Sequence, residues 1–226
     1  MPRPRQALGS NMMVARNSCL VLTLLEHIMH SLAKRILAHA TLLSEGTPLV
    51  AKEMLHLGQR ANVDQTLYRL SQRGALIRAG HGIYVLPVRS RFGTRAPSVV
   101  KVVEGLASLR GETIVPHGAA AANALGLTTQ VPMRAVYLTS GRNRRLKLGA
   151  QIVELRNVPI WQLVFPRRTA GEVVRALAWL GPEKAALAIM NLRIKLPPSE
   201  FKAVASVRSS LPTWMAQKIS ALVAHD

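Results

Sequence analysis

The sequence predicts an α+β chain, with an N-terminal winged helix-turn-helix followed by an α+β domain that carries an antiparallel meander and a helical C-terminal tail. Three observations predict it. Apolar residues recur at helical spacing from Leu32 to Leu70, then give way to two short β-forming runs around Gly80-His81-Gly82. Between Thr113 and Leu155 short apolar stretches alternate with glycine turns. From Thr169 onward the pattern is helical again.

Each element follows from local pattern. Leu32, Ile36, Leu37 and Leu43 mark one face of a first helix, and Thr47-Pro48 opens a second element through Ala51–Leu57. Asn62 with Gln65 three residues on predicts a capping box. Behind it, Val63, Leu67 and Leu70 predict the buried stripe of a third helix, which Gly74 ends. Leu76-Ile77-Arg78 and Ile83-Tyr84-Val85 predict a hairpin. Three helices and a hairpin are the order of a winged helix-turn-helix, here residues 29–87. Residues 88–97 lack periodicity and read as a linker, and residues 1–28 read as a disordered or wrongly started extension.

Residues 98–226 form the second expected domain. Thr113–Pro116 reads as a strand, and Ala119–Leu125 as an alanine-rich helix suited to packing tightly on a sheet. Ala135–Thr139, Arg145–Leu148 and Gln151–Leu155 read as meander strands. Val173, Val174, Leu177 and Leu180 form one helical stripe that ends at Gly181-Pro182, and Leu187, Met190 and Ile194 form another. Phe201–Val207 and Trp214–Val223 predict two more helices, and the three tryptophans read as core.

The 226 residues hold 30 Lys+Arg against 11 Asp+Glu, a formal charge of +19 in a chain that is 49% hydrophobic. That combination describes a folded protein with a strongly positive field and an anionic partner. The longest uncharged window, Thr113 to Met133, holds two prolines and several polar groups, short of the ~20 mainly apolar residues a membrane span needs. Asp64 and Asp226 are the only aspartates, so clustered-carboxylate chemistry would rest on glutamates. Cys19 stands alone, which excludes an intramolecular disulfide and multi-cysteine metal sites and fits a reducing cytoplasm. Phosphate-binding, dinucleotide, nucleophile-elbow and zinc-helix motifs are missing, so no enzymatic activity, cofactor or metal is expected.

With Val63, Leu67 and Leu70 inward, Gln65, Tyr68, Arg69 and Gln72 face out, and Arg60 lies at the end of the helix that meets bases. Glutamine pairs with adenine and arginine with guanine in bidentate geometry, each worth ~1–3 kcal/mol of discrimination. Arg69 and Arg73 suit phosphates, and Arg78 and His81 sit on the wing. A solvated polar face or a protein-contact module would show the same periodicity. In the second half, Arg142, Arg144, Arg145 and Lys147 form the densest basic cluster, readable as a nucleic-acid or partner surface or as a solvated hairpin. His117, ahead of the alanine helix, reads as a cap or core-edge histidine, and Thr128-Thr129-Gln130 as turn hydrogen bonding.

The stretch Val115-Pro116-His117-Gly118-Ala119-Ala120-Ala121-Ala122-Asn123-Ala124-Leu125-Gly126-Leu127-Thr128-Thr129-Gln130-Val131-Pro132 resembles the most distinctive segment of the AbiEi-like antitoxin family. Val136-Tyr137-Leu138-Thr139-Ser140-Gly141 and Gly82-Ile83-Tyr84-Val85-Leu86-Pro87 are similar to it too, and His117 departs from the serine that the pattern favours. The resemblance implies a winged-helix domain that represses its own operon by binding operator DNA at an inverted repeat. It also implies a C-terminal domain that counters a nucleotidyltransferase toxin, without need of a stable complex. The alternatives are a stand-alone winged-helix regulator and an RNA- or ribosome-associated basic binding protein.

Overall fold

The computed structural model describes residues 32–91 and 93–223. The expectation for residues 1–28 lies outside them. The chain is a mixed α+β protein that divides into two compact units, Met1–Pro97 and Ser98–Asp226.

In the first unit, helix α1 spans residues 32–42 and buries Leu32, Ile36 and Ala40, one residue per turn on one face. A single 3₁₀ turn, Ala51–Met54, stands where the sequence suggested a longer helix. Helix α2, Arg60–Gln72, buries Val63, Thr66, Leu67 and Leu70. Full burial of each of its aliphatic residues is worth about 1.5–3 kcal/mol. Gln59, in extended conformation, precedes α2 and no side chain caps it, so Asn62 lies inside the first turn and the expected capping box does not form. Instead the Asn62 carbonyl accepts from the Thr66 hydroxyl at 2.7 Å. Gly74, with φ 71, turns the chain out of α2 and into the strand pair β1 (Ile77–Gly80) and β2 (Ile83–Val85). Tyr84 of β2 exchanges backbone hydrogen bonds with Leu49, which closes the core between hairpin and helices.

Residues 88–97 are not an irregular linker. Strands β3 (Val88–Ser90) and β4 (Gly93–Arg95) pair there as an antiparallel hairpin. Arg95 Nη1 lies 3.4 Å from Glu45 Oε1, which ties the hairpin to the first unit, and the division between units falls after Pro97.

The second unit opens with α3 (Val99–Arg110), which buries Val102, Val103 and Leu106. Strand β5 (Ile114–Pro116) and helix α4 (Gly118–Ala124) come next, then β6 (Ala135–Thr139), β7 (Arg144–Leu148) and β8 (Gln151–Asn157). The sheet order is β5-β6-β8-β7, with β6 parallel to β8. The antiparallel meander is therefore corrected: β8 comes back between β6 and β7. Gly149, at φ 63, folds β7 onto β8 as a tight hairpin. The 140–143 loop carries the chain past the vacant position that β8 then fills. Asn157 pins that loop, donating from Nδ2 to the Gly141 carbonyl at 2.7 Å and from its backbone N–H to Asn143 Oδ1 at 2.6 Å.

Helix α5 runs Thr169–Lys195 with a break at Gly181 (φ 79, ψ 174), so Pro182 starts a second helical segment. Helices α6 (Pro198–Ser206) and α7 (Thr213–Val223) follow. The alanine-rich α4 packs against α5 rather than on the sheet, with Ala121, Ala122 and Leu125 in one cluster with Val173, Val174 and Leu177. Beyond the break, Ala185, Ala188, Ile189 and Leu192 are buried, while Leu187, Met190 and Ile194, expected as the inward stripe, are exposed. Trp161 and Trp214 pack on the cluster, but Trp179 is 38% exposed. Among the described residues Arg175 is the one fully buried cation, 1% exposed, and its Nη1 lies 3.5 Å from the Val164 carbonyl.

Candidate nucleic-acid interface

Helix α2 presents two faces. Its inner residues anchor it to the first unit's core, and Arg60, Gln65, Tyr68, Arg69, Gln72 and Arg73 are all exposed on the other side. Arg78 on β1 and His81 in the β1–β2 turn are exposed as well. The Arg78 guanidinium lies 5.9 Å from the centre of the Tyr68 ring, so helix and hairpin meet through a cation–π contact. Sequence reasoning overlooked Asp64. It is exposed and sits 3.7 Å from Arg60 Nε in an i,i+4 pair, so the start of the helix is less positive than its arginine suggests. Four arginines against one aspartate still leave this surface cationic.

The basic cluster of the second unit splits. Along β7, Arg145 and Lys147 point to one face of the sheet, and Arg144 points to the other with the buried Leu146 and Leu148. Arg144 forms an ion pair with Glu112, whose carboxylate also accepts from the Thr139 hydroxyl at 3.2 Å. Both charged side chains are about 15% exposed, so Arg144 belongs to the scaffold. Arg142 is exposed in the loop before β7. In place of Arg144 the outer face gains Arg156 and Glu154 from β8. Arg145 Nη2 is 3.6 Å and Arg156 Nη2 2.8 Å from the Glu154 carboxylate. The available signal was register: Arg145 stands opposite Glu154 across the β7–β8 hairpin.

Residues 35–195 match the model of a family of unknown function, DUF6088. The chain belongs to the DUF6088 family. No curated protein and no solved structure matches it. The match spans both units, from α1 to the end of α5, and so takes in the α2 face and the outer face of the β6–β8–β7 sheet alike.

In this DUF6088 chain the stretch Val115–Pro132 is held by local hydrogen bonds. His117 caps α4, its Nδ1 accepting from the Ala119 N–H at 3.2 Å. Asn123 Nδ2 donates to the carbonyls of Thr128 and Gln130, both at 3.2 Å, and the Thr128 hydroxyl accepts from the Gln130 N–H. Among the described residues no group of three or more His, Cys, Asp or Glu is placed to hold a metal ion. No described helix is long and apolar enough to cross a membrane.

Burial, and next the charge of Arg156, lower the His117 pKa, so the ring stays neutral with Nδ1 free to accept. A lowered folded pKa means that the unfolded chain takes up the proton first. Stability is therefore full above the ordinary value of about 6.5 and falls as pH drops through it toward the folded value. His117→Asn keeps a capping side chain without the titration. Urea unfolding between pH 7.5 and 5 should show a smaller acid loss in that variant than in the native chain. An unchanged acid limb would mean that His117 does not carry it.

Proposed function

We propose that this chain is a sequence-specific DNA-binding regulator that represses its own operon, with the first unit acting as a winged helix-turn-helix. In that reading α2 enters the major groove and the β1–β2 hairpin lies beside it. The observation that supports it best is the α2 face: Gln65, Arg69 and Gln72 are exposed on a helix anchored by its opposite side, and Tyr68 joins it to Arg78 on the hairpin. The expected target is an inverted repeat of operator DNA upstream of its own gene. The antitoxin role, directed against a nucleotidyltransferase toxin, rests on the resemblance of Val115–Pro132, Val136–Gly141 and Gly82–Pro87 to AbiEi-like antitoxins. A stand-alone regulator would use the same face.

The test is a gel shift on the native upstream DNA with scrambled competitor at fixed salt. The native chain should hold its shift in excess competitor. Arg69→Ala should weaken binding by ~1–3 kcal/mol, about 5- to 150-fold, with the fold intact. If the loss is equal on every sequence, Arg69 holds phosphate; if there is no loss, α2 is not the reading helix.

A further inference from the structure

The second unit has an open concavity of about 1100 Å³ near the N-terminal end of α4, running across the outer face of β6, β8 and β7. Its charged lining is Arg134, Arg145, Glu154 and His117, beside Tyr137 and Ile152. Three guanidiniums act on the single carboxylate. Arg156 hydrogen-bonds Glu154 and, with the charges of Arg145 and Arg134, holds its carboxyl below the usual range, so Glu154 is ionised and the group keeps an excess of positive charge. Apolar surface lies next to these cations: Ile152 is 57% and Met133 98% exposed. Burial raises the Tyr137 phenol, which stays protonated. His117 spends Nδ1 on the Ala119 N–H, so its neutral ring carries the proton on Nε2 as a donor.

We propose that this concavity binds a nucleotide unit, a base with its phosphate. Arg134 and Arg145 are the phosphate ligands, and Ile152 and Met133 give the base an apolar bed. Glu154 and His117 offer an acceptor and a donor to the base edges. The volume lies just above the ~300–1,000 Å³ common for small-ligand sites, too small for a duplex but adequate for one or two nucleotides. A base paired inside a duplex is stacked away from such a site, whereas a free nucleotide or an unpaired residue of a strand is not. The site lies in the second unit and does not depend on the DNA reading of α2.

The test uses the full chain at about 0.1 M salt with two probes: a fluorescein-labelled oligouridylate and, separately, a fluorescent N-methylanthraniloyl GTP. At least one should bind in the micromolar range. Arg145→Glu and, as a second variant at an exposed position, Arg134→Glu should each weaken binding about 10-fold or more. Ile152→Ser should weaken it several-fold. Binding of the strand alone assigns the unit to single-stranded nucleic acid, and binding of both shows that a free nucleotide suffices. The proposal is overturned if neither probe binds, if folded Arg134→Glu binds like the native chain, or if a blunt duplex competes as well as the single strand.

Discussion

Gly118→Ala should lower the unfolding free energy of the second unit by about 3 kcal/mol, at the upper end of what overpacking costs. Gly118 opens α4 where that helix crosses α5. A Cβ there would overlap the Arg175 carbonyl oxygen and lie 2.7 Å from the Trp179 Cβ. Both obstacles are fixed to the α5 backbone, so relief requires the two helices to separate and the Ala121–Leu177 contact layer to open. Thermal unfolding followed by circular dichroism should show a melting temperature lower by about 6–12 °C. Gly111→Ala is the control: nothing lies within 4 Å of its Cβ, and its φ of 63 alone should cost about 1–2 kcal/mol. Equal losses at the two positions would remove close packing as the reason for glycine at 118.

What could be read in the sequence was whatever local spacing encodes. The Val63, Leu67, Leu70 stripe fixed which side of α2 is outward, and all eight residues singled out there and on the hairpin are exposed. Gly74 and Gly181 marked real changes of direction, since both take positive φ. Two of the failures in the second unit share a cause: each depends on a partner distant in sequence. The second segment of α5 is apolar on both sides, and only packing shows that its alanine side goes in and Leu187, Met190 and Ile194 stay out. Strand order is invisible to alternation, because β6 and β8 have the same local pattern whether or not they are neighbours. The charge count hid a similar distinction. Arg175 and Arg144 contribute to the +19, yet one lies inside the α4–α5 cluster and the other faces Glu112, so neither adds a surface contact. Arg134 and Arg156 drew no notice in the sequence, and both act on Glu154 beside the concavity.

The Glu112–Arg144 pair makes the second large expectation. Glu112→Ala should cost about 2–3 kcal/mol, somewhat under the ~3–5 found when a fully buried pair loses one partner, because both side chains keep about 15% exposure. The loss has two parts. Arg144 would be left with its charge largely desolvated, and its Nε has no hydrogen-bond partner even now. The Thr139 hydroxyl, itself buried and accepting from the Gly141 N–H at 2.9 Å, would lose its acceptor as well. That hydroxyl, the Asn157 amide and the 140–143 loop together hold β7 at its distance from β6, so the variant should also loosen the outer face on which Arg145 sits. A double-mutant cycle in urea unfolding separates the parts. Replacing both partners by leucine should recover most of the loss, since an apolar pair of similar volume carries no stranded charge. If Glu112→Ala and Arg144→Ala were simply additive, the pair would be uncoupled, and the loop would owe its position to Asn157 and to Thr113, which bonds Ser140.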